Sequence, residues 1–323
     1  MDHDVTDLGF LIRRPTLAEM RACRMLLPRA TSAGQRSQLH VAVSHDNERV
    51  IGAAGLGPDS ALDSAAGGRG RRWLVDLRVI VPARRRGVGR ALMRRLVEQA
   101  TGHGIPALYA WQWVEPEGDA LRAWAALGFS PCQRQMEFEA DLARCHDVLL
   151  PLYTRVREDG WIPPTAQIVP LADADHDAVA RLYLRCLGGT RALLLPMLRG
   201  SAADAYDPAC SRVLLLDGRV VGFTLGRIHA DGAVADVDAN VVDPTLRLGW
   251  ANLWLKFEAA SVLLDLGVRT IRYATLQQHK DTQRISRQVD ARLIRTMVQM
   301  RRDLPPAATD SAPPAGDAVG VEG

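Results

Sequence analysis

The chain of 323 residues carries 40 Lys and Arg against 37 Asp and Glu, a net charge of +3, and 47% hydrophobic residues. Its length exceeds one ordinary core and predicts two domains, and its near-balanced charge neither demands nor excludes anionic ligands. No run of about 18 apolar residues is available to span a membrane. Five scattered cysteines without a C-x-x-C pair argue against a disulfide framework, so a cytoplasmic protein with reduced thiols is expected.

In chain order, a short apolar run at 10–14 precedes an amphipathic helix through Leu27. Residues 38–44 and 49–54 alternate as a hairpin around His45-Asp46-Asn47. A strand over 73–81 leads into a helix over 88–101. A strand at 107–113, a helix at 118–127 and a strand at 136–142 complete the first half. Residues 143–165 mix prolines, charges and a D-G turn, and read as a linker. The second half repeats the order. A strand at 166–171 and a helix at 175–186 precede a hairpin around Asp217-Gly218. A strand at 233–242, a helix at 250–266, a strand at 270–276 and a strand or helix at 291–301 follow. Residues 304–323, rich in Pro, Ala, Gly and Asp, are expected to be a disordered tail.

The repetition reaches individual residues. Val50-Ile51-Gly52 answers Val220-Val221-Gly222. Val75-Asp76-Leu77-Arg78-Val79 answers Val237-Asp238-Ala239-Asn240-Val241, each at the same distance from a glycine, Gly87 or Gly249. Such self-similarity indicates duplication of one α/β unit.

The segment WLVDLRVIVPARRRGVGRALMRRLVEQA holds the most informative turn. A strand ends near Val81, and Arg84-Arg85-Arg86-Gly87-Val88-Gly89-Arg90-Ala91 turns into a helix. The free N–H groups and positive dipole end of such a helix suit a phosphate. Glycines allow close approach, and arginines fork onto phosphate oxygens. A P-loop would need Gly-Lys-Ser/Thr, which is absent. A dinucleotide fingerprint would need a third glycine where Leu92 stands and would open the domain. The arginines could also form a solvated or nucleic-acid-binding face, but no aromatic residues interleave them.

The pattern Arg-x-x-Gly-x-Gly after a fourth strand, with Ala126-Leu127-Gly128-Phe129 further on, resembles the Gcn5-related N-acetyltransferase (GNAT) superfamily. The resemblance covers nearly the whole chain as two copies. It implies an α/β fold of the α+β type: two tandem modules at 1–142 and 166–303, each a mixed, mostly antiparallel sheet flanked by helices. It further implies acetyl-CoA as cofactor, with the pyrophosphate at Arg84, Arg85, Gly87, Val88, Gly89, Arg90 and Ala91. The pantetheine arm would pair with the backbone of Leu77 and Val79. The implied reaction is transfer of an acyl group to a primary amine of a small molecule.

The second copy departs from the pattern. Leu246 stands where the motif wants Arg, and Trp250 follows a single glycine, so this module reads as degenerate. The first copy departs too, with Trp124 where the family carries an acidic tyrosine. Tyr109 is the candidate substitute acid, with a core position as the competing reading; Asp76 is the candidate base, its pKa expected to be raised by burial, with a structural role echoed at Asp238 as the alternative. Glu115 and Glu117 are candidates to bind a cationic acceptor, with a solvated loop as the competing reading. No metal cluster, nucleic-acid partner or membrane contact is expected, and the protein is read as a monomer or homodimer. A non-catalytic coenzyme A sensor or interaction scaffold is the alternative function.

Overall fold

Short runs rich in Val, Leu, Ile and Ala produce the strands, and central ones such as Gln38–Ser44 and Arg219–Ile228 are buried on both faces where helices cover them. The computed structural model describes residues 9–28, 38–58, 72–188, 191–246 and 249–305. The first half holds β1 (Phe10–Arg13), α1 (Met20–Leu26), β2 (Gln38–Ser44), β3 (Val50–Pro58), β4 (Trp73–Val79), α2 (Val88–Gly102), β5 (Ala107–Ala110), α3 (Asp119–Ala126) and β6 (Ser130–Asp141). Val75, Leu77 and Val79 face α2 and pack with Val88, Leu92 and Leu96. Val41, Val43 and Ala53 face the opposite way, against Cys23 and Leu27 at α1.

The second half repeats this plan with α4 (Leu142–Glu158), β7 (Ala166–Pro170), α5 (His176–Cys186), α6 (Arg191–Leu198), β8 (Arg212–Leu216), β9 (Arg219–Ile228), β10 (Val234–Val242), α7 (Trp250–Asp265), β11 (Thr270–Leu276), α8 (Lys280–Gln288) and β12 (Arg292–Asp303). Residues 143–165, expected as a linker, are mostly the helix α4. An Asp141 side chain accepts from Arg144 N at its start, and Leu142, Cys145 and Leu149 are buried along it. Two helices, α6 and α8, fall in stretches where no element was expected. The segment at 291–301 is a strand, β12. The expected strand at 107–113 is only four residues long, because β5 parts from β4 after Ala110. Residues 306–323 of the expected tail lie outside the described residues.

The strands form one twelve-stranded sheet in the order β1-β2-β3-β4-β5-β12-β6-β11-β10-β9-β8-β7. The last strands of the two halves are exchanged. Strand β12 pairs with β5 through Arg301↔Tyr109, Arg302↔Leu108 and Asp303↔Ala107. Strand β6 pairs with β11 from Thr270↔Asp141 to Leu276↔Gln135. The exchanged strands also pair with each other. Val298 and Met300 of β12 thus belong to the first half's core, beside Val75 and Leu108. Carboxylates on β6 and arginines on its neighbours lock this register across the exposed face. Glu139 meets Arg272 Nε at 3.0 Å and Arg292 Nη2 at 2.5 Å, and Glu137 meets Arg295 Nε at 2.9 Å.

Two expectations follow. Met300 is fully buried, so Met300→Ala should cost about 2–5 kcal/mol in denaturant unfolding and destabilise the first half although the residue lies near the C-terminus. The Arg292 and Arg272 guanidiniums hold the Glu139 carboxyl below its usual range. A depressed carboxyl contributes stability above its unfolded pKa of about 4.3, and that contribution is lost as pH falls below it. Melting curves should show Glu139→Gln losing less stability than the wild type between about pH 5 and acid pH.

Candidate functional site

Strand β4 separates from β5 part-way along its length. The two pair in parallel only at Trp73↔Leu108, Leu74↔Tyr109 and Val75↔Ala110, and Trp111 N donates to Val75 O at 2.8 Å as the last link. In a strand, alternate residues direct their N–H and C=O to the same edge. Val75 points these groups at β5, so Leu77 and Val79 do likewise, into the gap. Val79 O is taken by Arg84 Nε at 3.1 Å. The Leu77 backbone and the Val79 N–H have no strand partner there and form an open edge that an extended, amide-bearing chain can join.

The gap ends at the start of α2. A 3₁₀ turn at Val81–Ala83 follows β4, and the chain then passes through left-handed conformations at Arg85, φ 62°, and Gly87, φ 83°. Gly87 is the N-cap of α2 and provides no side-chain cap. The first hydrogen bond of the helix runs from Ala91 N to Gly87 O at 3.0 Å, so the N–H groups of Val88, Gly89 and Arg90 remain free, as at any helix start. A left-handed arginine costs roughly 1 kcal/mol and persists only where its surroundings impose it. Arg84, Arg85, Arg86 and Arg90 are exposed, and none forms an ion pair among the described residues. Free donors, a positive helix end and four uncompensated guanidiniums converge on one anion-binding surface. Val88 and Ala91 are buried and anchor the turn from below.

Gly89 does not serve close packing against the protein. A Cβ there would lie 3.7 Å from Leu77 Cδ2 and Val79 Cγ2, an ordinary contact. The space that a larger side chain would fill lies over the β4 edge.

Asp76 and Tyr109 lie on the sheet face opposite α2. Asp76 is 8% exposed, with Arg78 Nε at 4.0 Å from its carboxylate. The Tyr109 ring carries the Arg72 guanidinium at 4.0 Å and that of Arg301 at 5.6 Å. Arg72 also donates to the side chain of Gln299. Arg72, Gln299 and Arg301 were not anticipated as neighbours of this site. Two of them arrive on β12, nearly two hundred residues away in sequence, so no local pattern signals them.

Glu115 and Glu117 are exposed in the loop between β5 and α3, where the Glu115 backbone oxygen accepts from Gly118 N and the Glu117 backbone oxygen from Arg122 Nη1. Trp124 is buried and meets Phe129 edge to face at 4.8 Å, so it is a core residue. Gly128 has a φ of 84°, and a Cβ there would come within 3.4 Å of the Arg302 guanidinium, which donates to Leu127 O at 2.7 Å. The Leu-Gly-Phe sequence is thus a helix end clamped by the exchanged strand.

In the second half, β10 and β11 part in the same way after Val237↔Tyr273. The N-cap Gly249 of α7 is extended, with φ −125°, and Arg247 and Leu248 lie outside the described residues. Asp238, the counterpart of Asp76, sits at a bulge and is bound by Arg227 at 2.5 Å. Burial raises its pKa against the pull of Arg227. Burial also pushes the Cys145 and Cys210 thiols up to about 11, as expected of inert core cysteines. Among the described residues no cluster of His, Cys, Asp and Glu is suited to a metal ion, and no helix is long and apolar enough to cross a membrane.

A splayed pair of central strands, with a glycine-arginine turn at the mouth of the splay, is the arrangement that comparison with known families resolves. Residues 14–129 match the model of the acetyltransferase (GNAT) family. Over that stretch the chain is similar to the GNAT acetyltransferases. No curated protein matches the chain. Among solved structures, a conserved protein from Enterococcus faecalis V583 described as a probable N-acyltransferase superposes with a TM-score of 0.62 at 13% identity, covering 91% of this chain and 72% of that one. Eis1 from Mycobacterium abscessus gives 0.59 at 15% identity over 91% and 73%. A GCN5-related N-acetyltransferase from Sphaerobacter thermophilus gives 0.50 at 16% identity over 94% and 98%. At these identities the likeness is one of fold, and it covers nearly the whole chain. The GNAT family is one of acyltransferases that generally use acetyl-CoA.

The left-handed Gly87 makes a local prediction. Gly87→Ala should destabilise the chain by about 1 kcal/mol in denaturant unfolding, whereas Gly89→Ala, with room for its Cβ, should leave stability within about 0.5 kcal/mol.

Proposed function

We propose that the first module is the active one and transfers an acyl group, acetyl by default, from acyl-CoA to a primary amine of a small molecule in the cytoplasm. The observation that carries this reading is the continuity between the open β4 edge at Leu77 and Val79 and the arginine-flanked start of α2. A linear ligand with amides at one end and phosphates at the other matches the two in order. Arg84, Arg85, Gly87, Val88, Gly89, Arg90 and Ala91 would hold the pyrophosphate through backbone donors and charge. The Leu77 and Val79 backbone would bind the pantetheine amides and place the thioester in the gap.

The remaining steps are assigned to the opposite face. An amine attacks as a neutral nucleophile, so a base must take its proton, and Asp76 beside the gap is the residue assigned. Tyr109 is assigned to protonate the departing thiolate, its ring held between the guanidiniums of Arg72 and Arg301. Glu115 and Glu117, on an exposed loop, are kept as acceptor-attracting charges. We place the module boundaries at 1–142 and 166–303 as chain segments, with α4 between them and the final strands exchanged, and treat the chain as a monomer or homodimer.

Buried Trp124 favours one other reading, a coenzyme A-binding scaffold without turnover, because the family's usual acid is replaced by a core residue. Thermal melting with acetyl-CoA tests both. A ligand well above its Kd should raise the midpoint by a few degrees. That shift should vanish in Gly89→Trp, whose side chain covers the β4 edge. Turnover with an amine panel, reduced about 10²–10⁴-fold by Asp76→Asn, would establish the enzyme. A shift without turnover of any amine would establish the scaffold. No shift in the folded wild type would sink both.

A further inference from the structure

The second module, read as degenerate at its phosphate turn, is not filled in. Where β10 and β11 part, a cleft of about 180 Å³ lies between the sheet, α7, α4 and α8. For scale, a cavity of roughly 150 Å³ admits benzene. A ligand of about six to eight heavy atoms therefore fits, which is far smaller than coenzyme A.

The cleft has two chemically distinct ends. Leu149 of α4, Ala260 and Leu263 of α7 and Ile271 of β11 form an apolar end. The other end is polar and tilted toward positive charge. His279 is the N-cap of α8, a nine-residue helix, and makes no side-chain cap there. The helix's first turn, with Thr282, lines the cleft, so its positive end faces the space. Lys256 lines the cleft from α7. The one lining carboxylate, Asp238, is already bound to Arg227 at 2.5 Å.

An independent observation marks the same place. Thr275, on β11, lines the cleft and is 5% exposed, yet its hydroxyl has no hydrogen-bond partner. Its neighbours are satisfied: Thr224 donates to Asn240, Asn240 to Asn252, Tyr273 to Ser286, and Ser286 to Thr282 O. A buried hydroxyl without a partner is costly, and groups in that state point to something absent from the protein alone.

We propose that this cleft in the second module binds a short-chain carboxylate of about four to six carbons. Its aliphatic part packs against Leu149, Ala260 and Leu263, and its anionic head lies at the start of α8 within reach of Lys256 and the Thr275 hydroxyl. The site is separate from the acyl-CoA reading of the first module and does not depend on it.

The test uses the full chain and three probes of equal length: hexanoate, hexylamine and hexanol. Hexanoate at millimolar concentration should raise the melting midpoint by a few degrees, and the other two should not. Calorimetric titration of hexanoate should show about tenfold weaker binding in Lys256→Met. Thr275→Val separates a binding role from a packing role. It should raise the midpoint of the free protein, because an unpaired hydroxyl is removed, while weakening hexanoate binding. Equal stabilisation by hexanol and hexanoate, hexanoate binding unchanged in both variants, or no response to any probe would each overturn the proposal. Displacement of bound hexanoate by hexanoyl-CoA, a thioester without the anionic head, would also overturn it and return the cleft to ordinary cofactor binding.

Discussion

Backbone pairing between β12 and β5, and between β6 and β11, is the constraint on which the rest of the molecule depends. Each half supplies five strands of its own sheet and lacks the sixth. Without β12, the outer edge of β5 would present unpaired N–H and C=O groups beside a core short of Val298 and Met300. The exchange satisfies both edges at once and fuses two sheets into one of twelve strands. The Glu139 and Glu137 ion pairs do little for stability as exposed contacts, but they oppose a register slip that would place like charges together.

The same exchange shapes the face behind the candidate site. Gln299 and Arg301 ride on β12 into the surroundings of Tyr109, where they meet Arg72 from the strand entry of β4. The side of the gap that carries the open edge and the arginine turn is built wholly from β4 and α2. The opposite side is built jointly by the two halves of the chain. Arg84 has a double part in this geometry. Its side chain holds Val79 O and so fixes where the open edge stops, while its charge adds to the anion surface.

What could be read from the sequence follows from range. Alternation and 3.6-residue periodicity are local, so β2, β9, β10, α2 and α7 were legible almost to the residue. The turn from Arg84 to Ala91 was legible because its glycines, arginines and flanking strand are contiguous. The duplication was legible because Val-Asp-x-x-Val stands in both halves at matched spacing. The exchange was not, because β6 and β12 are similar amphipathic strands and either order of neighbours satisfies their patterns. The helix α4 was hidden by Pro151 and by a charged, polar surface that resembles a linker. The shortness of β5 was hidden because the chain stays apolar through Trp113 after it has left its partner.

The interlocked order of strands has a consequence for biosynthesis. The first module's residues emerge from the ribosome as a contiguous block, but the strand that seals their sheet is made nearly two hundred residues after β5. Until residue 303 is available, the outer edge of β5 and the apolar patch meant for Met300 stay open to other pairings, including the equivalent strand of a neighbouring nascent chain. Native contacts between β5 and β12 join positions nearly two hundred residues apart, which places completion of the first core at the slow end of folding.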